Sequence, residues 1–233
     1  MKILIIVPAF NEEVNILNVV QNIVDIGYDY IVINDGSHDA TERVCQKHHI
    51  NLVSLSENLG IGGAVQTGHM YALEHGYDVD IQVDGDGQHD ISYIPKLLQA
   101  IKSGNDLAIG SRFIRPNDGF HSTGMRRLGI RWLQRCIHVV TGLNITDATS
   151  GFRASGRRAI NLFAKDYPID YPEPESIVTA YNAGLSISEV PVKMRERQGG
   201  ISSINVKKSM YYMIKVTLAI FIEGIGKKQE RAE

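Results

Sequence analysis

Val79-Asp80-Ile81-Gln82-Val83-Asp84-Gly85-Asp86-Gly87-Gln88 is the stretch whose reading decides the fold. Val79–Val83 reads as a buried strand, and Asp84-Gly85-Asp86-Gly87 ends it in a turn. Two carboxylates at i and i+2 of such a turn can face one hard cation. Mg²⁺ and Mn²⁺ take oxygen ligands and accept partial ligation by protein, completed by phosphates and water. Gly85 and Gly87 let the backbone pass close to a ligand. Gln88 adds a carbonyl oxygen and His89 an imidazole. A lone pair of aspartates at this spacing occurs in many turns, so its meaning depends on its surroundings. An EF-hand is excluded, because the later acidic ligand is missing.

Upstream, strand and helix patterns alternate. Ile3–Val7, Tyr30–Ile33 and Leu52–Leu55 read as strands, and Leu107–Ile109 follows downstream as another. Helical spacing starts after Asn11-Glu12-Glu13, through Val14, Leu17 and Val20 or through Ile16, Val20, Ile23 and Val24. Further helices are expected over 38–48 with Ser37 as cap, over Gly62–His75 and over Ile91–Lys102. Nearly continuous apolar strands alternating with helices predict a mostly parallel sheet flanked by helices. Ligands of such sheets bind at the carboxyl ends of the strands. The polar clusters sit there: Pro8–Glu13, Asn34–Asp39, Asn58–Gly63 and Asp84–Asp90. Asp35 and Asp39 can accept hydrogen bonds from a base or ribose, or Asp39 can lie at a helix start capped by Ser37. The Asn58-Leu59-Gly60-Ile61-Gly62-Gly63 turn offers amides to a phosphate or ribose, or is a simple turn.

Beyond residue 111 the pattern loosens. Helices are expected over Met125–Val140, Gly156–Ala164, Ser176–Ala183 and Val206–Ile225, with a strand over Ile187–Val192 and a glycine loop at Gly199-Gly200. Pro168, Pro172 and Pro174 are expected to break the chain before the Ser176 helix.

The chain has 233 residues, 43% of them apolar, which is enough for a sizeable core and excludes disorder. Cys45 and Cys136 lie far apart without metal spacing and read as reduced thiols of a cytosolic protein. The apolar run at the N-terminus is too short for a signal peptide or a membrane span. Charge is uneven. Residues 1–111 hold 15 acidic and 5 basic side chains, whereas residues 112–135 hold 1 acidic and 6 basic, and residues 191–233 hold 4 and 9. An acidic first half suits a cation-dependent site and a basic second half an anionic partner. Trp132 alone in the basic patch is thin support for a nucleic-acid binder.

Together these segments resemble the family 2 glycosyltransferases of GT-A fold. The matching text is Val7-Pro8-Ala9-Phe10-Asn11-Glu12-Glu13, Val32-Ile33-Asn34-Asp35-Gly36-Ser37, Asn58-Leu59-Gly60 and Asp84-Gly85-Asp86-Gly87-Gln88. Ile109-Gly110-Ser111-Arg112-Phe113 and Asp147-Ala148-Thr149-Ser150-Gly151-Phe152-Arg153 look like the branch of polyprenol-phosphate sugar synthases. The resemblance implies a GT-A domain over 1–205 and an interfacial or packing helix with a tail over 206–233. Residues 1–112 would form the nucleotide-sugar and metal half, residues 113–205 the acceptor half and a mobile loop. Pro8, Glu12, Asp35, Asp39, Asn58, Gly60 and Asp84 would line the nucleotide-sugar pocket. Asp84, Asp86 and Gln88 would hold Mg²⁺ or Mn²⁺. Arg112, Arg126, Arg127 and Arg153 would hold the acceptor phosphate, with Arg112, Asp147 and Arg153 joining Asp86 as catalytic residues. Arg195 and Arg197 would close on the donor phosphates. Glu173 and Glu175 receive no role.

Arg131-Trp132 lacks the preceding Gln of processive synthases, so transfer of a single sugar is expected. The expected partners are a nucleotide diphosphate sugar, a polyprenyl phosphate and the inner face of the membrane, with a homo-oligomer or a membrane partner protein left open. Met210–Ile225 carries Lys215 and Glu223 and falls short of about 20 apolar residues, so it reads as an interfacial helix with Lys207, Lys208, Lys227 and Lys228 near its ends. A phosphate acceptor is already a nucleophile near neutral pH and needs cations more than a base. A sugar hydroxyl would instead need a base, for which Asp147 and His89 are the candidates.

Overall fold

The computed structural model describes residues 1–114, 124–195 and 213–224, with backbone alone for 124–126. Seven strands form one sheet in the order β3-β2-β1-β4-β6-β5-β7. They are β1 (Ile3–Ala9), β2 (Asp29–Asn34), β3 (Leu52–Ser54), β4 (Val79–Gln82), β5 (Leu107–Ser111), β6 (Arg153–Gly156) and β7 (Ile187–Pro191). β6 runs antiparallel to both neighbours, and the other pairings are parallel. Sequence reading places no strand at β6. Its four residues, Arg153-Ala154-Ser155-Gly156, carry little apolar periodicity, and their burial comes from the strands on either side.

Alternation along β1 divides the core. Ile5 and Val7 face the layer of α1 (Ile16–Asp25), α2 (Thr41–Lys47) and α4 (Ile94–Lys102). Leu4 and Ile6 face α3 (Gly60–Glu74) on the opposite side. Gly68 of α3 is held against Ile6, where a methyl group would collide with its side chain. Leu107 and Ile109 of β5 pack under α5 (Gly124–Thr141), α6 (Arg157–Phe163), α7 (Pro172–Asn182) and α8 (213–224).

Three expectations shift. α1 starts at Ile16, beyond Val14, and buries Ile16, Val19, Val20 and Ile23, so of the two expected faces the second holds except at Val24, while Leu17 of the first is exposed. α2 starts at Thr41, and Asp39 accepts from its amide at 2.9 Å, while Ser37 accepts from Asn11. α7 starts at Pro172, four residues before the expected helix. Its prolines lie in the first turn, where a helix makes no use of the missing amide hydrogen. The expected boundary at 205/206 and the Gly199-Gly200 loop lie outside the described residues.

Candidate active site

Ala9, Asn34 and Ser111 end their parallel strands, and Asp84 lies two residues beyond β4. The polar clusters therefore meet at one edge of the sheet. The loops after β1 and β2 are stitched together. The Asp35 amide donates to the Ala9 carbonyl at 2.9 Å, and the His38 amide to Asn11 Oδ1 at 2.8 Å. Glu12, buried, donates its amide to Thr41 Oγ1 at 2.8 Å and accepts from Asn15 at 2.8 Å. Asp39 accepts from the Glu13 amide at 3.1 Å, while Glu13 accepts from the Ala40 amide at 2.8 Å. Burial alone would push Asp39 up, but hydrogen bonds from Thr41 and Glu13 outweigh it and hold the carboxyl below its ordinary range.

Asp35 accepts from the Leu59 amide at 2.7 Å. Burial pushes its carboxyl up against the opposing Leu59 and Gly60 amides. Asn58 donates to the Asp35 carbonyl at 3.1 Å and accepts from Gly60 at 3.2 Å. The two side chains thus fasten the β2 loop to the start of α3. Gly36 has φ +64°, and a side chain there would stand 2.8 Å from the Asn58 amide nitrogen, so glycine is required.

The carboxylate loop is held from behind. Gln82 donates to Asp84 Oδ1 at 2.9 Å, and the Asp84 amide donates to His89 Nδ1 at 3.0 Å. Because Nδ1 accepts, the neutral ring carries its proton on Nε2, which has no hydrogen-bond partner and lies 3.5 Å from Asp84 Oδ2. His89 is buried and stacks on Phe152, with ring centroids 4.9 Å apart. It therefore props Asp84, and nothing in its placement suits a base for a hydroxyl acceptor. Asp86 Oδ1 accepts from the Gln88 amide at 3.0 Å, and Gly87 takes φ +74° to turn the loop. Among the described residues no group of three histidine, cysteine or acidic side chains could hold a metal ion. Asp84 and Asp86 nevertheless fit a hard cation that draws its remaining ligands from phosphate and water.

Across the edge, Asp147 grips Arg112 in a fork. Nε–Oδ2 is 2.6 Å and Nη2–Oδ1 is 2.7 Å, and the Arg112 amide also donates to Oδ2 at 3.1 Å. Thr149 Oγ1 accepts from Nη2 at 2.8 Å. Glu189 of β7 accepts from the amides of Thr146 and Asp147 at 2.7 and 2.8 Å and so holds the turn that carries Asp147. Burial pushes the Glu189 carboxyl up, against those amides. Glu189 escaped the sequence reading. Its signal was a charge in step with Ile187 along a half-buried strand.

Gly151 joins the two sides. A side chain there would stand 2.8 Å from Gln82 Nε2 and 3.2 Å from Asp84 Oδ2. Arg153 is buried in β6 and donates to the Ser150 carbonyl, Ser176 Oγ and the Glu173 carbonyl, each at 2.7 Å. Those bonds tie the start of α7 to the sheet. Arg127 is exposed on α5. Arg195 donates its amide to the Gln88 carbonyl at 2.8 Å and Nη2 to Asp90 at 2.9 Å, so the segment after β7 lies on the carboxylate loop. The Arg126 side chain and Arg197 lie outside the described residues. No helix among the described residues is long and apolar enough to cross a membrane.

This sheet, with an acidic loop after β4 facing an arginine-bearing half, is that of a nucleotide-sugar-dependent glycosyltransferase. Residues 4–163 match the model of glycosyl transferase family 2, and the chain belongs to that family. It is 31% identical over 216 residues to an undecaprenyl-phosphate mannosyltransferase of Micrococcus luteus, covering 88% of each chain. It is 30% identical over 212 residues to a UDP-N-acetylglucosamine–dolichyl-phosphate N-acetylglucosaminyltransferase of Methanococcus voltae, covering 82% of this chain and 84% of that one. Its fold matches glucosyl-3-phosphoglycerate synthase of Mycobacterium tuberculosis with a TM-score of 0.73 at 19% identity, over 96% of this chain and 78% of that one.

Proposed function

We propose that the protein transfers one sugar from a nucleotide diphosphate sugar to a polyprenyl phosphate, inverting the anomeric carbon. The observation that carries this reading is the Asp147 fork. Both carboxylate oxygens are engaged by Arg112, so the aspartate serves to retain a buried cation. A hydroxyl acceptor would need that carboxylate as base. A phosphate acceptor is already charged and is served by the arginine. Two relatives named above act, by their names, on undecaprenyl and dolichyl phosphate.

In this reading Pro8, Glu12, Asp35 and Asp39 border the nucleotide. Asp35 and Asp39 act through the loops they hold as much as through contact. Asp84 and Asp86, with Gln88 beside them, would hold Mg²⁺ or Mn²⁺, which neutralises charge on the leaving diphosphate. Arg195 borders the donor phosphates, and Arg197, outside the described residues, is given the same role by the family resemblance alone. Arg127, exposed on α5, lines the approach of the acceptor phosphate, whose oxygen attacks the anomeric carbon opposite the departing diphosphate; Arg126 is given the same role by the family resemblance alone. Arg153 acts from below, by fixing α7. The protein would work at the cytoplasmic face of the membrane that holds its acceptor.

The test is transfer from labelled UDP-glucose, UDP-N-acetylglucosamine and GDP-mannose to undecaprenyl phosphate, with Mn²⁺ or with EDTA. One donor should give an organic-extractable, acid-labile product that is lost with EDTA and in Asp86→Ala. Labelling of a soluble glycan in place of the lipid would overturn the acceptor assignment. A folded protein that neither transfers nor hydrolyses any of the donors would overturn catalysis.

A further inference from the structure

Two prolines frame a carboxylate at the start of α7. Pro172, Glu173 and Pro174 open the helix, and both prolines are buried. Their rings fix the backbone on either side of Glu173, so its side chain leaves from a rigid base. The Glu173 carbonyl accepts from Arg153 Nη2 at 2.7 Å, and the same guanidinium donates from Nε to the Ser150 carbonyl at 2.7 Å. One buried guanidinium therefore joins Glu173 to the turn that carries Asp147 and Gly151. A side chain on Gly151 would stand 3.2 Å from Asp84 Oδ2, so this turn touches the carboxylate loop as well. The part-buried Glu173 carboxyl has Arg153, Asp84 and Arg112 as charged neighbours. It thus stands between the acidic loop on the donor side and the arginine fork on the acceptor side. Arg112 holds Asp147, and Arg153 holds two carbonyls and Ser176 Oγ. Among the described residues, the one hydrogen-bond donor that reaches the Glu173 carboxyl is its own amide. Burial pushes that carboxyl up, with Arg153 opposing.

We propose that Glu173 binds hydroxyl groups of the sugar being transferred and thereby selects the donor. This deepens the reading above and rests on it. The reaction brings anions, a cation and a sugar to this gap. The diphosphate and the acceptor phosphate repel a carboxylate. Among the described residues no three acidic or histidine side chains gather for a metal ion, so Glu173 is no third ligand beside Asp84 and Asp86. The sugar ring is neutral and carries several hydroxyl donors. A carboxylate takes two neighbouring hydroxyls on its two oxygens, and a rigidly held one does so with little loss of entropy. A sugar that lacks one of those hydroxyls leaves the shielded carboxylate unpaired, and a site of that kind rejects the deoxy analogue. Glu175 has other company. Its charged neighbours are Asp170, Glu223 and Lys215, so of the two glutamates Glu173 is the one that faces the site.

Calorimetric titration with UDP-glucose, UDP-N-acetylglucosamine and GDP-mannose, with Mn²⁺ and without acceptor, finds the donor that the chain binds. Its monodeoxy forms and the free nucleoside diphosphate are then compared on the parent, Glu173→Gln and Glu173→Ala. The parent should bind the deoxy forms at one or two neighbouring positions about tenfold to a hundredfold more weakly than the full donor. Glu173→Ala should bind the full donor about as weakly as the parent binds those deoxy forms, and its discrimination should fall to near one. Glu173→Gln keeps the shape of the side chain and should discriminate less than the parent, which carries the test if the alanine variant does not fold. The nucleoside diphosphate carries no sugar and should bind all three proteins equally. Binding is read without acceptor or turnover, so the failure of this assignment and the failure of transfer to a polyprenyl phosphate are distinguishable. A parent that binds every deoxy form like the full donor overturns the proposal. So does discrimination that both variants retain, or an equal weakening of donor and nucleoside diphosphate, which a merely structural role would give.

Discussion

Asp147→Asn removes one charge from a pair that is almost wholly sealed from water, with side-chain exposures of 4% for Arg112 and 0% for Asp147. The amide keeps the shape but presents a donor to one of the two guanidinium donors, at positions now 2.6 and 2.7 Å apart. Breaking one side of a buried, hydrogen-bonded pair typically costs about 3–5 kcal/mol, because the remaining charge is left uncompensated. At about 2–4 °C per kcal/mol for a chain of this size, the melting temperature should fall by roughly 6–20 °C. Replacing both partners by apolar residues, Arg112→Met with Asp147→Leu, removes the stranded charge as well. That double variant should recover most of the lost stability while transfer stays absent, since the cation itself is gone. The assay is thermal melting of the single and double variants beside single-turnover transfer from the active donor. The reasoning would be refuted by an Asp147→Asn protein that melts with the wild type, or by a double variant that transfers sugar.

Gly151→Ala should push the Gln82 amide off Asp84 and raise the metal concentration for half-maximal activity roughly tenfold, measured by Mn²⁺ titration of transfer. Gly68→Ala drives a methyl group into Ile6 and should cost about 2 kcal/mol, read by denaturant melts, with donor affinity preserved. Burial pushes Glu175 up to about 7, with Asp170 and Glu223 adding repulsion and Lys215 opposing. Its ordinary value is 4.5, so between the two the folded chain holds more protons than the unfolded one. Stability therefore falls as pH rises through that window, and the loss is complete above about 7. The side chain is only partly buried, and screening by the nearby solvent reduces the effect to about 1 kcal/mol. Melts of Glu175→Gln across the same pH range should show a smaller decline than the parent, and equal declines would remove Glu175 as the cause.

Local pattern made the parallel strands legible. Ile3–Val7 and Val79–Val83 announce themselves by apolar continuity, and the turns behind them by Asp, Asn and Gly. β6 stayed hidden, because Arg153-Ala154-Ser155-Gly156 becomes a strand only through pairing with β4 and β5. Asp35 shows the same limit at the site. Its sequence position suits a ligand contact, and the fold spends its carboxylate on the Leu59 amide.

By itself the sequence determined the alternation of strands and helices, the clustering of acids at strand ends and the basic character of the second half. Each of these depends on neighbours within a few residues: apolar period, turn chemistry and charge count. Only the tertiary structure decided how the polar side chains are partnered. Asp147 meets Arg112 across 35 residues, and Glu189 reaches the Asp147 amide across 42. A side chain's partner is set by where the whole chain returns, and no local period encodes that return.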